Sequence, residues 1–242
     1  HAAAVAAPVL VLGRDLNVEI STSSWDGLEL LLTWEASQVR HPPLALQERG
    51  AMRLTSPLVG RHQAGNVALA AFGALLLGVE PGTVQAALAL TRWPGRLERR
   101  EHDGRHVVLD GAHNPEAAAA LTRALGQLEG RVAVLVLGVS ADKNIGAMLN
   151  EFSGVARHVV FTAAVNSPRS AEPAALLEAW RRTDRAAGVS AEVAADPAAA
   201  LRRALELAAP GETVAVAGSL FLVAEVCNVL DGVDGEPYER WQ

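Results

Sequence analysis

From residue 96 onward, short apolar runs alternate with longer helical patterns, and this alternation limits the folds open to the chain. The apolar runs predict strands at residues 97–101, 106–110, 132–138, 157–161, 190–194 and 213–217. The helical patterns predict helices at residues 115–128, 144–151, 172–187, 196–208 and 219–230. Strands that alternate with helices in this way form a parallel sheet with helices on both faces. Only His102-Asp103-Gly104-Arg105 separates the first two runs, which indicates a hairpin. We therefore predict an α/β domain with a mostly parallel sheet.

The first 93 residues have a different pattern. Runs rich in Leu, Ile, Val and Thr predict strands at residues 9–12, 16–20 and 28–34, of which the first is expected to be buried. Residues 14–58 as a whole are expected to form short strands and loops. Ala- and Leu-rich helical patterns follow at residues 61–77 and 81–90. Because Trp93-Pro94-Gly95 breaks the second of these patterns, we place a domain boundary there, giving domains at residues 1–93 and 94–242.

The composition indicates a globular protein with neither a nucleic-acid partner nor a membrane span. Half of the 242 residues are hydrophobic, and 21 Lys and Arg residues are interspersed with 27 Asp and Glu residues. A nucleic-acid interface would need clustered positive charge, and a membrane span would need a longer apolar run. The single Cys227 lies in an apolar helical run, which predicts a buried thiol in a reducing compartment. We therefore expect a cytoplasmic protein.

Two ionisable side chains lie where one predicted strand gives way to a helix, in Leu109-Asp110-Gly111-Ala112-His113-Asn114-Pro115. Ligands of open α/β sheets bind at this carboxyl edge. Asp110 could accept hydrogen bonds from ribose hydroxyls or orient a cation, and His113 could donate to a transferring phosphoryl group. The alternative is an ordinary tight turn with a helix-entry histidine. Asn114 is expected to cap the helix that Pro115 begins.

Two polar stretches upstream are further candidates for ligand contacts. Gly60-Arg61-His62-Gln63-Ala64-Gly65-Asn66 leads into a helix, where its polar groups could contact an anion or a nucleobase edge, or could serve only as a cap and a solvated first turn. Asn66 has poor helix propensity for such a position. Arg96 follows a rigid Pro-Gly corner, and its forked donors suit phosphate oxygens. An interdomain salt bridge is an equally good explanation of Arg96.

Three more polar loops follow predicted strands. They contain Asp142-Lys143, Asn166-Ser167-Pro168-Arg169-Ser170 and Gly218-Ser219. Asp142 and Lys143 could meet a substrate carboxylate or simply pair with each other on the surface. With the Asp110 loop, these make four polar loops on one rim of the predicted sheet, which indicates a binding edge.

Several motifs of known chemistry are absent from the sequence. It contains no G-x-x-x-x-G-K-[ST] phosphate loop, no G-x-G-x-x-G, no Cys/His metal cluster and no G-x-S-x-G. The chain by itself therefore cannot cradle a triphosphate as a P-loop enzyme does. The missing G-x-G-x-x-G also argues against an oxidoreductase of the dinucleotide-binding type.

Taken together, the motifs resemble the folylpolyglutamate synthase/dihydrofolate synthase family within the wider Mur ligase group. The matching segments are Gly60-Arg61-His62-Gln63-x-x-Asn66, Pro94-Gly95-Arg96-Leu97-Glu98, Leu109 to Pro115, Gly138-Val139-x-x-Asp142-Lys143 and Gly218-Ser219-Leu220-x-Leu222-Val223. The resemblance implies a Rossmann-like C-terminal domain preceded by the end of a central domain. It also implies an ATP-dependent amide ligase that joins L-glutamate to a folate or dihydropteroate through an acyl phosphate.

The same resemblance assigns roles to individual residues. Asn66 would contact the adenine of ATP, Arg96 its phosphates and Asp110 its ribose. His113 would lie near the γ-phosphate and the incoming glutamate, and Arg96 and His113 would be the catalytic residues. Ser219 and the loop of Asp142 and Lys143 would help to form the glutamate side.

The family also has an N-terminal ATPase half with a P-loop, the Mg²⁺ ligands and most folate contacts, and the resemblance does not extend to it. The sequence lacks an initiator Met, so we expect the chain to begin inside a longer protein that is monomeric at full length. Alone, the chain is expected to be inactive. The alternative is a free-standing, non-catalytic α/β module that binds a nucleotide or another ligand.

Overall fold

The computed structural model describes residues 9–35, 47–183 and 188–233. The chain divides into two compact units, His1–Trp93 and Pro94–Gln242. Within the described residues, no helix combines the length and the apolar character needed to cross a membrane.

The first unit is a three-stranded antiparallel sheet with two helices. Its elements are β1 (Leu16–Ser24), β2 (Gly27–Glu35), β3 (Arg49–Ser56), α1 (Gln63–Leu76) and α2 (Pro81–Ala89), and the strand order is β1-β2-β3. Alternate residues of β2, among them Leu28, Leu30 and Leu32, are buried and share a core with Val67 and Phe72 of α1. The period of two in β2 explains why one face of this sheet is apolar while Glu29 on the other face is exposed.

The predicted buried strand at residues 9–12 is wrong. Only Leu12 makes a strand-like pairing, an isolated bridge to Leu16, and Val9 is 46% exposed. The reason is a local turn: the Asp15 carboxylate accepts a hydrogen bond from the Val11 N–H at 2.8 Å, and the Val11 carbonyl accepts one from the Arg14 N–H at 3.1 Å. The backbone groups of Val11 are thus used within the turn rather than in a sheet.

The predicted helices of this unit are confirmed as α1 and α2. The mixed stretch at residues 14–58 contains β1, β2 and β3, but residues 36–46 of it lie outside the described residues.

The second unit has the predicted α/β alternation. Its elements are β4 (Glu98–His102), β5 (Arg105–Leu109), α3 (Pro115–Leu128), β6 (Val132–Leu137), α4 (Ile145–Phe152), β7 (Ala156–Phe161), α5 (Pro173–Arg181), β8 (Ser190–Val193), α6 (Pro197–Leu207), β9 (Thr213–Ala217) and α7 (Leu220–Asp231). The strand order is β4-β5-β9-β6-β7-β8, and among these strands only the hairpin pair β4–β5 is antiparallel. The predicted mostly parallel sheet and its opening hairpin are confirmed.

Both faces of this sheet are covered by helices. Every residue of β6 is buried, and Val134 and Val136 share a core with Leu201 of α6 and Val223 of α7. Helices α3 and α4 contact each other, as do α4 and α5. A strand buried on both faces reads as a continuous apolar run, which is how β6 appears in the sequence.

One predicted helix, residues 172–187, is too long. Helix α5 ends at Arg181, where the Arg182 and Thr183 N–H groups bond to carbonyls three residues earlier and the Thr183 hydroxyl donates to the Trp180 carbonyl at 2.7 Å. These tighter bonds end the α-helical ladder. Residues 184–187 lie outside the described residues.

The four polar loops do meet at one rim, as predicted. They follow β5, β9, β6 and β7, which are neighbours in the sheet and mutually parallel. At this rim the backbones of adjacent strands come very close. A Cβ on Gly138 would lie 2.7 Å from the Thr162 carbonyl oxygen, and Gly218, whose φ is 101°, lies against the carbonyl of Gly138.

We predict that Gly218→Ala lowers the free energy of unfolding by about 2–4 kcal/mol, because the new methyl group combines a positive φ with contact to the Gly138 carbonyl and Leu137 Cδ1. The measurement is urea unfolding of the 242-residue chain. Gly126→Ala on α3 is the matched control, since a Cβ there meets nothing within 4 Å. It should stabilise the protein by about 0.5–1 kcal/mol. Equal effects of the two substitutions would contradict the close packing.

Candidate active site

The Asp110 carboxylate, at the end of β5, links two segments of backbone. Asp110 is 6% exposed; its Oδ2 accepts a hydrogen bond from the Leu97 N–H at 2.9 Å, and its Oδ1 accepts one from the Ala112 N–H at 2.8 Å. Burial raises the pKa of Asp110, while these two bonds and the electrostatic interactions with Arg96 and His113 oppose the rise. Asp110 therefore joins the loop before β4 to the loop after β5.

The short segment from Gly95 to Glu98 is fixed at several points. The Gly111 N–H donates to the Gly95 carbonyl at 2.8 Å, and the Gly95 N–H donates to Glu98 Oε2 at 2.9 Å. Leu97 is buried and has a φ of 47°, in the left-handed region that non-glycine residues rarely occupy. The bond to Asp110 helps to hold Leu97 there, so Arg96 lies between two anchored neighbours.

Arg96 is half-buried, and its guanidinium lies against the backbone of Gly111. A Cβ on Gly111 would lie 2.7 Å from Arg96 Nη1 and would also collide with Leu220. Among the described residues, no acceptor forms a hydrogen bond or an ion pair with the Arg96 guanidinium. A half-buried guanidinium with its donors available is suited to an oxyanion such as a phosphate group.

The His113 ring is oriented by its own loop. His113 Nδ1 lies 2.8 Å from the Gly111 carbonyl oxygen. A carbonyl can only accept, so Nδ1 carries the hydrogen in this bond and Nε2 remains for another partner. The predicted cap is confirmed, because Asn114 Oδ1 accepts the Ala117 N–H at 2.8 Å and Pro115 begins α3. The ring thus lies at the N-terminus of α3. A helix N-terminus attracts anions such as phosphate groups.

Ser219 belongs to the same neighbourhood. It is buried at the start of α7, where its hydroxyl accepts the Phe221 N–H at 3.2 Å as a helix cap. The next residue, Leu220, lies against Gly111. The structure therefore gathers Arg96, Asp110 and His113 around the Gly111 backbone, and Ser219 directly precedes the leucine that contacts it.

Asp142 and Lys143 lie on the same rim but form a pair of their own. Lys143 Nζ is 2.9 Å from Asp142 Oδ2, and the hydrogen bond from Lys143 lowers the pKa of Asp142. Both side chains are partly exposed. The surface pairing expected as one alternative is thus formed, and among the described residues neither side chain forms a hydrogen bond or ion pair with Arg96 or Asp110.

Asn66 lies in the first unit, on the second turn of α1. Its side chain is exposed, and its Nδ2 donates to Gln63 Oε1 at 2.8 Å. The preceding N-cap, His62, forms no side-chain capping bond, so the polar stretch before α1 is not explained by capping through that residue.

Thr162 and Glu225 were not predicted as part of this region, and neither was the burial of Ser167 in its polar loop. All are buried, and the Thr162 and Ser167 hydroxyls have no hydrogen-bond partner within the described part of the chain. Glu225 had a usable signal, a single acid in the apolar helix Leu220–Asp231. The two hydroxyls had none, because burial of a loop residue depends on what packs over it.

The residues that the structure describes do not form a metal site by themselves. No group of three or more His, Cys, Asp or Glu side chains gathers closely enough among them to hold a metal ion. They therefore do not fit Mg²⁺ without ligands from elsewhere.

Comparisons with known proteins find similarity to ligases of the Mur ligase group. Residues 95–220 match the family described as Mur ligase, glutamate ligase domain. A probable bifunctional folylpolyglutamate synthase/dihydropteroate synthase of Haloferax volcanii is 34% identical over 171 residues, which are 70% of this chain and 20% of that protein. A UDP-N-acetylmuramoyl-L-alanyl-D-glutamate--2,6-diaminopimelate ligase of Corynebacterium efficiens is 33% identical over 185 residues, which are 72% of this chain and 35% of that protein.

A solved structure is also similar. The folylpolyglutamate synthase of Mycobacterium tuberculosis, complexed with ADP and AMPPCP, superposes with a TM-score of 0.77 and 27% identity, covering 97% of this chain and 52% of that one. This chain thus spans 20% and 35% of the lengths of the two relatives and 52% of that solved chain.

We predict that the buried Asp110 makes the free energy of unfolding depend on pH. Because burial raises its pKa above the unfolded value of about 4, the folded state binds more protons between the two pKa values, and the free energy of unfolding falls as pH rises. This loss of stability is absent below the pKa of Asp110 in the unfolded state and complete above its pKa in the folded state. Asp110→Asn lacks the titration, so the wild-type stability minus the variant stability should decrease from acid pH towards neutrality. Urea unfolding across pH measures this difference, and an increase with pH would contradict it.

Proposed function

This chain belongs to the Mur ligase family, as its motifs predict, and from that membership we propose that it carries the glutamate-adding half of an ATP-dependent folate ligase. Pro94–Gln242 would be the Rossmann-like glutamate ligase domain, and residues 1–93 would be the end of the central domain. The match over residues 95–220 falls wholly within the second unit and supports this division.

The reaction we propose activates a carboxylate and then forms an amide. The substrate carboxylate oxygen attacks the γ-phosphorus of ATP, ADP leaves, and an acyl phosphate results. The amino nitrogen of L-glutamate then attacks the acyl carbon, phosphate leaves, and the nitrogen loses a proton. The solved relative bound to ADP and AMPPCP supports ATP as the phosphoryl donor. Such chemistry requires positioned reactants and stabilisation of negative charge on the phosphoryl oxygens.

The observation that carries the proposal is the available guanidinium of Arg96 beside His113. Arg96 would donate to phosphate oxygens from its place beside Gly111, and a donor already present there would reduce the reorganisation needed when charge develops. His113 Nε2, left over by the bond from Nδ1 to Gly111, would face the γ-phosphate and the incoming amine. Both groups would act as catalytic residues at the transferring phosphoryl group.

Asp110 would serve the same site in two ways. Its bonds to Leu97 and Ala112 position the segments that carry Arg96 and His113. Each carboxylate oxygen has a second lone pair, so a ribose hydroxyl could still donate to Asp110. Asn66 would contact the adenine.

The glutamate side would be formed by Ser219 and by the loop of Asp142 and Lys143. Lys143 is partly exposed, and exchanging its bond to Asp142 for one to a substrate carboxylate would cost little because surface ion pairs are weak. We propose a folate or dihydropteroate as the acceptor, with Mg²⁺ held by ligands from the N-terminal ATPase half of the ligase.

A second candidate is a ligase of cell-wall precursors. The relative from Corynebacterium efficiens, whose name specifies a UDP-N-acetylmuramoyl peptide and 2,6-diaminopimelate, is nearly as similar as the folate-related one. The two candidates share the acyl-phosphate route and differ in both substrates. Assays of this chain together with a P-loop half, using each acceptor and each amino acid, distinguish the two candidates. Only the matching pair of substrates should cause ADP release.

We predict that the purified 242-residue chain does not catalyse glutamate-dependent ADP release. The sequence contains no P-loop, and the described residues gather no metal site, so triphosphate binding and activation lack their usual groups. The same assay with a P-loop half supplied is the comparison. Turnover by the chain alone would overturn this prediction.

In the complete ligase, meaning this chain together with a P-loop half, we predict that Arg96→Ala lowers kcat/KM by about 10²–10³-fold. His113→Ala should lower it by about 10²-fold or more. Arg96→Lys should recover only part of the loss, because an ammonium lacks the forked donors. ADP release coupled to ligation gives the rates.

The matched control for these variants is Arg123→Ala, an exposed arginine on α3. It should leave the kinetics unchanged, and circular dichroism should show intact folds for all variants. Unchanged turnover in both Arg96→Ala and His113→Ala would exclude the proposed site.

A further inference from the structure

Glu225 is a buried acid that serves a loop rather than its own helix. It lies in the middle of α7 and is 8% exposed. Its Oε2 accepts a hydrogen bond from the Val165 N–H at 2.9 Å, and its Oε1 accepts one from the Asn166 N–H at 2.8 Å. A carboxylate with two backbone donors is a strong, charge-assisted anchor. The anchor joins α7 to the loop that follows β7.

That loop is in turn joined to the loop that follows β6. The Ala141 N–H donates to the Arg169 carbonyl at 2.7 Å, and the Ala171 N–H donates to the Val139 carbonyl at 2.8 Å. These bonds flank the isolated bridge between Ser140 and Ser170. Backbone hydrogen bonds therefore hold the loop of residues 163–171 against the loop that contains Asp142 and Lys143.

The conformation of the 163–171 loop includes two unfavourable features. Val165 is 71% exposed, and the buried Ser167 hydroxyl has no partner among the described residues. Exposed apolar surface and an unpaired buried hydroxyl both favour rearrangement. The two bonds from Glu225 oppose that rearrangement, because moving the loop would leave a buried charge without its donors.

We propose that Glu225 is a positioning residue for the amino-acid substrate. It fixes the 163–171 loop and, through it, the loop of Asp142 and Lys143, without touching the substrate itself. The inference rests on the proposed function, in which those two residues form the glutamate side. Glu225, in the middle of α7, would thus influence the KM for glutamate through the two loops.

The first measurement is amide hydrogen exchange in the 242-residue chain. Glu225→Gln keeps one acceptor oxygen and places an amide donor against the second N–H, so one bond is lost. Exchange at Val165 and Asn166 should accelerate roughly tenfold or more, while the β6 amides should keep their protection. Glu225→Asp, which retains both oxygens on a shorter side chain, should give an intermediate effect and keeps the test valid if Glu225→Gln folds poorly.

The second measurement is the kinetics of the complete ligase. Glu225→Gln should raise the KM for glutamate roughly tenfold, while kcat and the KM for ATP stay within about twofold. A purely structural defect would instead lower the active fraction and leave the KM for glutamate unchanged. The matched control is Glu129→Gln, since Glu129 accepts a hydrogen bond from Thr213 at the start of β9, the opposite edge of the sheet. It should leave the glutamate KM unchanged.

The outcomes separate this inference from the proposed function. Faster exchange together with a raised glutamate KM supports the inference. Unchanged exchange, or an unchanged glutamate KM in an active ligase, overturns it. Failure of the proposed function would appear differently, as a wild-type ligase without glutamate-dependent ADP release, whatever the exchange data show.

Discussion

The candidate site of the second unit depends on one buried carboxylate. Asp110 accepts two backbone N–H groups, from Leu97 and Ala112, and thereby ties the segment before β4 to the loop after β5. Leu97 has a left-handed backbone that few side chains tolerate. Without an acceptor at this point, a buried N–H would be unpaired, which costs about 1–3 kcal/mol. The placement of Arg96 over Gly111 follows from this arrangement.

The rest of the rim is built on the same principle, that backbone donors are satisfied by anchors from another element. Glu225 on α7 holds Val165 and Asn166, and the loops after β6 and β7 bond to each other. Glycine at positions 138 and 218 lets neighbouring strand ends approach closely, which no larger residue would allow. A rim held in this way presents its polar groups in fixed places, which is what differential stabilisation of a charged transition state requires.

How far the sequence predicted this site depends on the range of each interaction. The Asn114 cap and the order of strands and helices followed from local pattern, since both depend on neighbours in sequence. The predicted strand at residues 9–12 was wrong even though the interaction that prevents it is also local. Its apolar composition suggested a strand, but the nearby Asp15 accepted the Val11 N–H and formed a turn. The sequence allows Asp142 and Lys143 either to pair with each other or to meet a ligand, and only the folded structure decides that they pair.

The sequence by itself determined the mostly parallel sheet and the set of polar loops, because hydrophobic periodicity and turn residues are local properties. It also contained motifs specific enough to indicate the Mur ligase family. Tertiary structure alone decided which oxygen meets which backbone donor. Asp110 reaches Leu97 thirteen residues away, and Glu225 reaches Val165 sixty residues away. Such pairs form only when packing brings distant segments together, and no periodicity records them.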